Sequence, residues 1–263
     1  MIVCHLVFCS DFGQSFDMGF KIFSFFLSLC LVDMCFGGIL PSYIKPCSRS
    51  DPNFDKCCLE HGIKALPYIF KGDRKMGIPN MLPLVIPQID VKAGNNLKIY
   101  LKHVHVFGLD TTILKDVKID IDHSTIKLDV DIPMLDLRGK YEIEGHIMVL
   151  PIRGKGDMNI TALGGQYSYN LEYGIENING LDYLQLTDKD KLDFKLEGVK
   201  FNLDNLFDGD KIMGDQMNLF LNENWRDVLD EFGLTISETV RSVGKSIASA
   251  YFKKVPYHTL ILD

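Results

Sequence analysis

The stretch DVKIDIDHSTIKLDVDI, residues 116–132, decides the fold. Val117, Ile119 and Ile121 alternate with Asp116, Lys118, Asp120 and Asp122, and Ile126, Leu128, Val130 and Ile132 alternate with Lys127, Asp129 and Asp131. A period of two places the apolar side chains on one face of a pleated strand and the charges on the other. These are half-buried antiparallel strands with one dry face and one wet face.

Working outward, the same period holds from Leu97 to Phe207. It runs through Leu135, Leu137, Tyr141, Ile143 and Ile147, then Met158, Ile160 and Ala162, then Tyr167, Tyr169, Leu171 and Tyr173, then Leu192, Phe194 and Leu196. Glycines within these strands, at 139, 145, 154, 156 and 198, predict bulges and bends and therefore a strongly curved sheet. A curved sheet with one dry face has to wrap around something.

The C-terminus supplies it. Trp225, Val228, Leu229, Phe232, Ile236, Val240, Val243, Ile247 and Tyr251 recur at three- and four-residue steps, which predicts an amphipathic helix from Asn222 to about Lys253, with Asn222 or Asn224 as N-cap. At 1.5 Å per residue it would be roughly 45 Å long, and its place is the trough of the sheet. At the other end, Phe54, Cys58, Leu59, Ile63, Leu66 and Phe70 predict a short helix starting near Asp51-Pro52, with Pro67 expected to kink it or end it early. Between the helix and the strands, Pro79, Pro83 and Pro87 mark an extended apolar stretch. The predicted class is α+β: a long C-terminal helix wrapped by a highly curved antiparallel sheet.

The first 38 residues read as a leader. From Met18 the order is one Lys at 21, a greasy run from Ile22 to Val32, and small residues at Gly37 and Gly38, which is a secretory signal peptide. The run is about half of the ~20 residues a membrane-spanning helix needs, so no stable membrane anchor is expected. Met18 is the expected start, since residues 1–17 hold Asp11 and Asp17 and no Lys or Arg. The folded domain is residues 39–263. Cysteine usage agrees with export: beyond the leader only Cys47, Cys57 and Cys58 remain, which predicts one local disulfide and one leftover thiol, with the partner of Cys47 open between 57 and 58. Three cysteines, two of them adjacent, with His61 alone nearby make a poor tetrahedral zinc set.

The formal charge of −7 and the lack of any Lys/Arg-rich run argue against nucleic acid as a partner. There is no GxSxG elbow, HExxH, P-loop or strand-borne GxGxxG. His103 and His105 share a strand face at i, i+2, yet without a third ligand they read as ordinary strand histidines. No enzyme, metal or cofactor is expected.

Three stretches carry a family resemblance: LPSYIKPCSRSDPNFDKCC (40–58), GIPNMLPLVIPQID (77–90) and LNENWRDVLDEFGLTISETVRSVGKSIASAYFKKVPYHTLI (221–261). Together they resemble the takeout and juvenile hormone-binding protein family of insects. The resemblance implies a helix wrapped by a curved sheet, related to the tubular lipid-binding proteins, and a disulfide between Cys47 and Cys57. The hormone-binding branch has a second disulfide in its later half; this chain has no Cys after 58, which points to the takeout-like branch.

The expected function is a secreted, monomeric carrier of a small hydrophobic ligand such as a terpenoid or fatty acid. The alternative is a secreted interaction protein whose cavity is closed. Candidate ligand-lining residues are Trp225, Val228, Leu229, Phe232, Ile236, Val240 and Val243 on the helix, and Tyr141, Ile143, Tyr167, Tyr169 and Tyr173 on inward strand positions. Phe54, Leu59, Ile63 and Leu66 on the first helix are candidates for closing one end. Asn159-Ile160-Thr161 is an N-glycosylation sequon, with alternation pointing Asn159 outward.

Overall fold

The structure is a computed structural model that describes residues 40–93 and 97–263. The leader and the expected start at Met18 lie outside the described residues.

Two unusually long strands form the spine. β5 (Thr125–Ile147) and β6 (Leu150–Ile178) pair antiparallel in one unbroken register from Thr125↔Glu172 to Ile147↔Leu150. At about 3.4 Å per residue a flat 23-residue strand would run to roughly 75 Å, so the hairpin must bend to cover its own dry face. Each long strand serves short partners in turn. β4 (Ile113–Asp120) pairs the first half of β5, and β3 (Leu97–Phe107) pairs the second half. β9 (Gly198–Leu203), β8 (Lys191–Lys195) and β7 (Leu181–Leu186) take successive segments of β6. β2 (Leu84–Ala93) pairs β3 only, and as a rim strand it tolerates Pro87.

The bulges are not where the glycines predicted them. β5 and β6 pass through Gly139, Gly145, Gly154 and Gly156 without a register shift. The shifts fall on the short partners, between Lys102 and His105 in β3 and between Leu114 and Asp116 in β4. Gly139 faces the first of them: a Cβ there would stand 2.9 Å from the carbonyl oxygen of Lys102. The glycine makes room for its neighbour's bulge. That bulge also separates the two strand histidines, His103 taking a φ of 52° and its carbonyl binding Nδ1 of His105 at 3.0 Å.

Helix α1 (Phe54–Lys71) runs through Pro67 without ending there. It lies along β4: Leu114 meets the helix at Gly62, and Asp55 Oδ1 accepts from the backbone N–H of Ile119. The Cys47–Cys57 disulfide forms and ties α1 to β1 (Cys47–Ser48), which pairs in parallel with β10 (Ile261–Leu262) at the C-terminus. Cys58 stays free, and burial pushes its thiol up to about 11.

The long C-terminal helix is preceded by one that periodicity did not single out. Helix α2 (Lys211–Glu223) starts at Asp210, whose carboxylate accepts from the N–H of Met213, and α3 (Trp225–Phe252) follows after the single residue Asn224. Asn222, expected as a cap, instead lies within α2. Its side chain accepts from the N–H of Phe201 and donates to the Phe201 carbonyl, and Asn218 one turn earlier does the same for Leu203. Two asparagine amides thus complete the open edge of β9, where unpaired backbone groups would otherwise be exposed. Asn224 occupies the N-cap position of α3 without a capping bond; its amide donates to Phe220 at the end of α2.

Candidate functional site

α3 crosses the trough of the sheet, and its two sides do different work. Along one side, Ser237, Arg241 and Lys245 recur every four residues and bind the rim of the sheet. Ser237 Oγ donates to Leu192 O at 2.7 Å, Arg241 to Asp190 O at 2.9 Å, and Lys245 to Thr187 O at 2.6 Å. Asp190, 5% exposed, accepts from the Tyr169 hydroxyl at 2.7 Å and lies beside Arg241, so its charge is compensated where it is buried. Burial and the neighbouring Asp190 carboxylate push the Tyr169 hydroxyl well above its ordinary range.

Along the other side runs the apolar stripe, and its packing is uneven. Val228 and Phe232 are closed into the large core cluster, against which Ile236 also packs. Near the far end, Ile247 and Tyr251 pack on a second cluster built on Met76, Ile78, Met81 and Val255. Ala248 and Phe252 pack on a third, built on Leu171, Tyr173, Leu184 and Leu186. Between these anchorages, Val240 and Val243 belong to none of the three clusters. Facing the trough from the sheet, Val130 pairs with Tyr167, whose ring stacks on Phe194 at 6.1 Å, and these three also stand outside the clusters. From Ile236 to Ile247 is roughly 16 Å of helix. Over that length Val243, Val130, Tyr167 and Phe194 are half-buried apolar side chains outside the clusters, beside the buried Leu192 and next to Gly244, where a Cβ would stand 3.5 Å from the Tyr169 ring. Desolvation raises the Tyr167 hydroxyl to about 12, so it is a neutral donor at any physiological pH.

The candidate residues therefore divide. Tyr167, Tyr169, Ile236 and Val243 lie along the trough, with Val240 at its margin, 44% exposed. Tyr141 and Ile143 are closed into the core, Tyr141 donating to Asp204 O at 2.7 Å. Tyr173 belongs to the end cluster, and its buried hydroxyl, like that of Tyr251, has no hydrogen-bond partner among the described residues. Leu229 is half-buried beside Val228. Trp225 leaves the trough altogether and lines a groove of about 650 Å³ on the flank, with Asn159, Thr161, Phe201 and Asn222. Ile63 and Leu66 line a second groove, about 430 Å³, between α1 and the Asp110–Leu114 segment, with Phe70 and Leu82. Phe54 and Leu59 are half-buried on α1 and line neither groove.

Sequence reading missed Val130 and Phe194 as trough residues, and Ile126 and Leu128, which pack on the third cluster. Their alternation was visible, but only the β5–β6 register sets Val130 opposite Tyr167 and Leu128 opposite Tyr169. It also missed the polar stripe of α3, although Ser237, Arg241 and Lys245 stand at helical spacing.

Among the described residues the two buried carboxylates are both spent on structure: Asp136 pairs with Arg138 and accepts from Thr161, and Asp190 accepts from Tyr169. Cys47, Cys57 and His61 gather closely enough to suggest a metal triad, but both sulfurs are consumed in the disulfide. No helix among the described residues is long and apolar enough to cross a membrane.

The family model for haemolymph juvenile hormone binding protein matches residues 25–262. Among curated proteins, the circadian clock-controlled protein daywake of Drosophila melanogaster is 24% identical over 240 residues, covering 87% of this chain and 90% of its own length. A putative beta-carotene-binding protein of Schistocerca gregaria is 26% identical over 148 residues, covering 55% of this chain and 58% of its own. Among solved structures, Takeout 1 of Epiphyas postvittana superposes with a TM-score of 0.74 at 26% identity, covering 84% of this chain and all of that one. The curled antiparallel sheet with a long C-terminal helix is the shared architecture, and the chain belongs to the takeout and juvenile hormone-binding protein family.

Proposed function

We propose that this chain is an exported, non-enzymatic carrier that holds one small hydrophobic molecule, a terpenoid, fatty acid or similar lipid, in the trough between α3 and the sheet. One observation carries the reading: the core is packed at both ends of α3, while Val243, Val130, Tyr167 and Phe194 between them stay apolar, half-buried and outside the packed clusters. Apolar surface held at that exposure is costly unless something covers it. The family and the name of the locust relative support a ligand of this class. Export is supported by the signal-peptide pattern of residues 18–38 and by the disulfide.

The mechanism is partition. At ~0.8 kcal/mol per buried methylene, a chain of ~15 carbons gains of order 10 kcal/mol before the costs of immobilising it are subtracted. Micromolar or tighter binding then needs few polar contacts, and the Tyr167 hydroxyl, which makes no hydrogen bond of its own among the described residues, is one available donor. A single chain suffices, so the carrier is proposed to act as a monomer.

A fluorescent fatty-acid probe titrated into the full chain tests the reading, with Val130→Trp as the blocking variant. Displacing three methylenes would remove about 2.4 kcal/mol, so affinity should fall roughly fifty-fold. Equal affinity in the variant and the parent would remove the trough as the site, and no uptake by either would leave the interaction-protein reading.

A further inference from the structure

The sequon at Asn159 and the flank groove that holds Trp225 are not used by the carrier function, and they coincide. Asn159 lies in the middle of β6, paired with Arg138 of β5 on one side and Asn202 of β9 on the other. Met158 beside it is 3% exposed and points into the core, so Asn159 points out. Its amide nitrogen makes no hydrogen bond among the described residues, and its oxygen receives only a long contact from Thr161 at 3.5 Å. A sequon in the centre of a sheet can be glycosylated only if the sugar has somewhere to go once the strands pair. Here the space exists: the 650 Å³ groove is lined by Asn159 itself, by Thr161, by Lys200, Phe201 and Asn202 of β9, and by Trp225 at the start of α3.

The lining suits a sugar better than a lipid. A pyranose has a face of C–H bonds that packs on an aromatic ring and a rim of hydroxyls that seeks amide and ammonium partners. Trp225 supplies a ring, whose other face Arg226 covers at 4.4 Å, while Phe201 turns its ring into the core; Lys200 and Asn202 are exposed, with no ion pair or side-chain hydrogen bond among the described residues. The volume falls within the ~300–1,000 Å³ of small-molecule sites, room for the first one or two sugars of a glycan. We propose that Asn159 carries an N-linked glycan whose first sugar seats in this groove against Trp225. This rests on the export reading above, since the modification is made only on chains entering the secretory pathway.

The test is expression of the full chain in insect cells, with peptide mapping of the secreted protein before and after PNGase F. The Asn159 peptide should carry a glycan that Asn159→Gln and Thr161→Ala abolish and Thr161→Ser retains. Trp225 is the sole tryptophan, so its emission reports on the seat. Deglycosylating the folded protein should shift that emission to the red and raise its quenching by acrylamide, matching Asn159→Asp, the residue the enzyme leaves. A secreted chain with an unmodified Asn159 overturns the proposal while the carrier reading stands. A glycan whose removal leaves Trp225 unchanged overturns the seat. A chain that never enters the secretory pathway overturns both proposals, and a glycosylated chain that takes up no lipid overturns only the carrier.

Discussion

At the scale of single residues, side chains stand in for missing backbone. Asn218 and Asn222 each offer an amide that both accepts from and donates to one residue of β9, so the edge is finished without another strand. Asn218→Ala would leave the N–H and C=O of buried Leu203 without those partners. A cost of about 1–3 kcal/mol is expected in urea unfolding, with Asn218→Asp recovering only the accepting half. Cys58 makes a second prediction. Its thiol, raised to about 11 mainly by burial, is almost wholly protonated at pH 8, so little of the reactive thiolate exists there and more appears as pH rises toward 11. Allowing for the greater nucleophilicity of a high-pKa thiolate, alkylation of the Cys58 peptide at pH 8 should be roughly tenfold slower or more in the native protein than in urea. Equal rates would mean the thiol is not shielded.

At the scale of elements, periodicity was a sound guide where one face is dry and a poor one where polar side chains do the fastening. The strands around residues 116–132 and the long helix were legible, because Ile126, Leu128 and Val130 repeat every two residues and Val228, Phe232 and Ile236 every four. Helix α2 was passed over although Met213, Met217, Phe220 and Leu221 follow the Asp210 cap at helical spacing. Its role depends on asparagines that look like loop residues until β9 is beside them. The glycines misled for a related reason: Gly139 relieves a bulge in β3 that only pairing creates. The trough was half legible. Tyr167 and Tyr169 were found by parity, whereas Tyr141, of the same parity, is sealed in the core because the Asp204 carbonyl closes over it. The disulfide also belongs to this scale, since it joins α1 to the β1–β10 pair that holds the C-terminus, where Arg49 meets Asp263. For cysteines ten residues apart, loop entropy gives roughly 3 kcal/mol, so Cys47→Ser with Cys57→Ser should lower unfolding stability by about that much in urea. No loss would mean the C-terminal pairing alone fixes α1.

At the scale of the whole molecule, α3 is a beam held at its ends by apolar packing and along one side by Ser237, Arg241 and Lys245, with Val243 of its other side outside the clusters, where the proposed guest would lie. Fastening by polar side chains lets the apolar stripe stay uncovered without loosening the helix. Native mass spectrometry of the secreted full chain, with extraction and identification of whatever co-purifies, addresses this arrangement most directly. One apolar small molecule per chain, absent from Val130→Trp, is the predicted result. An empty protein that also refuses fatty acids and terpenoids, or a guest retained in Val130→Trp, would contradict it.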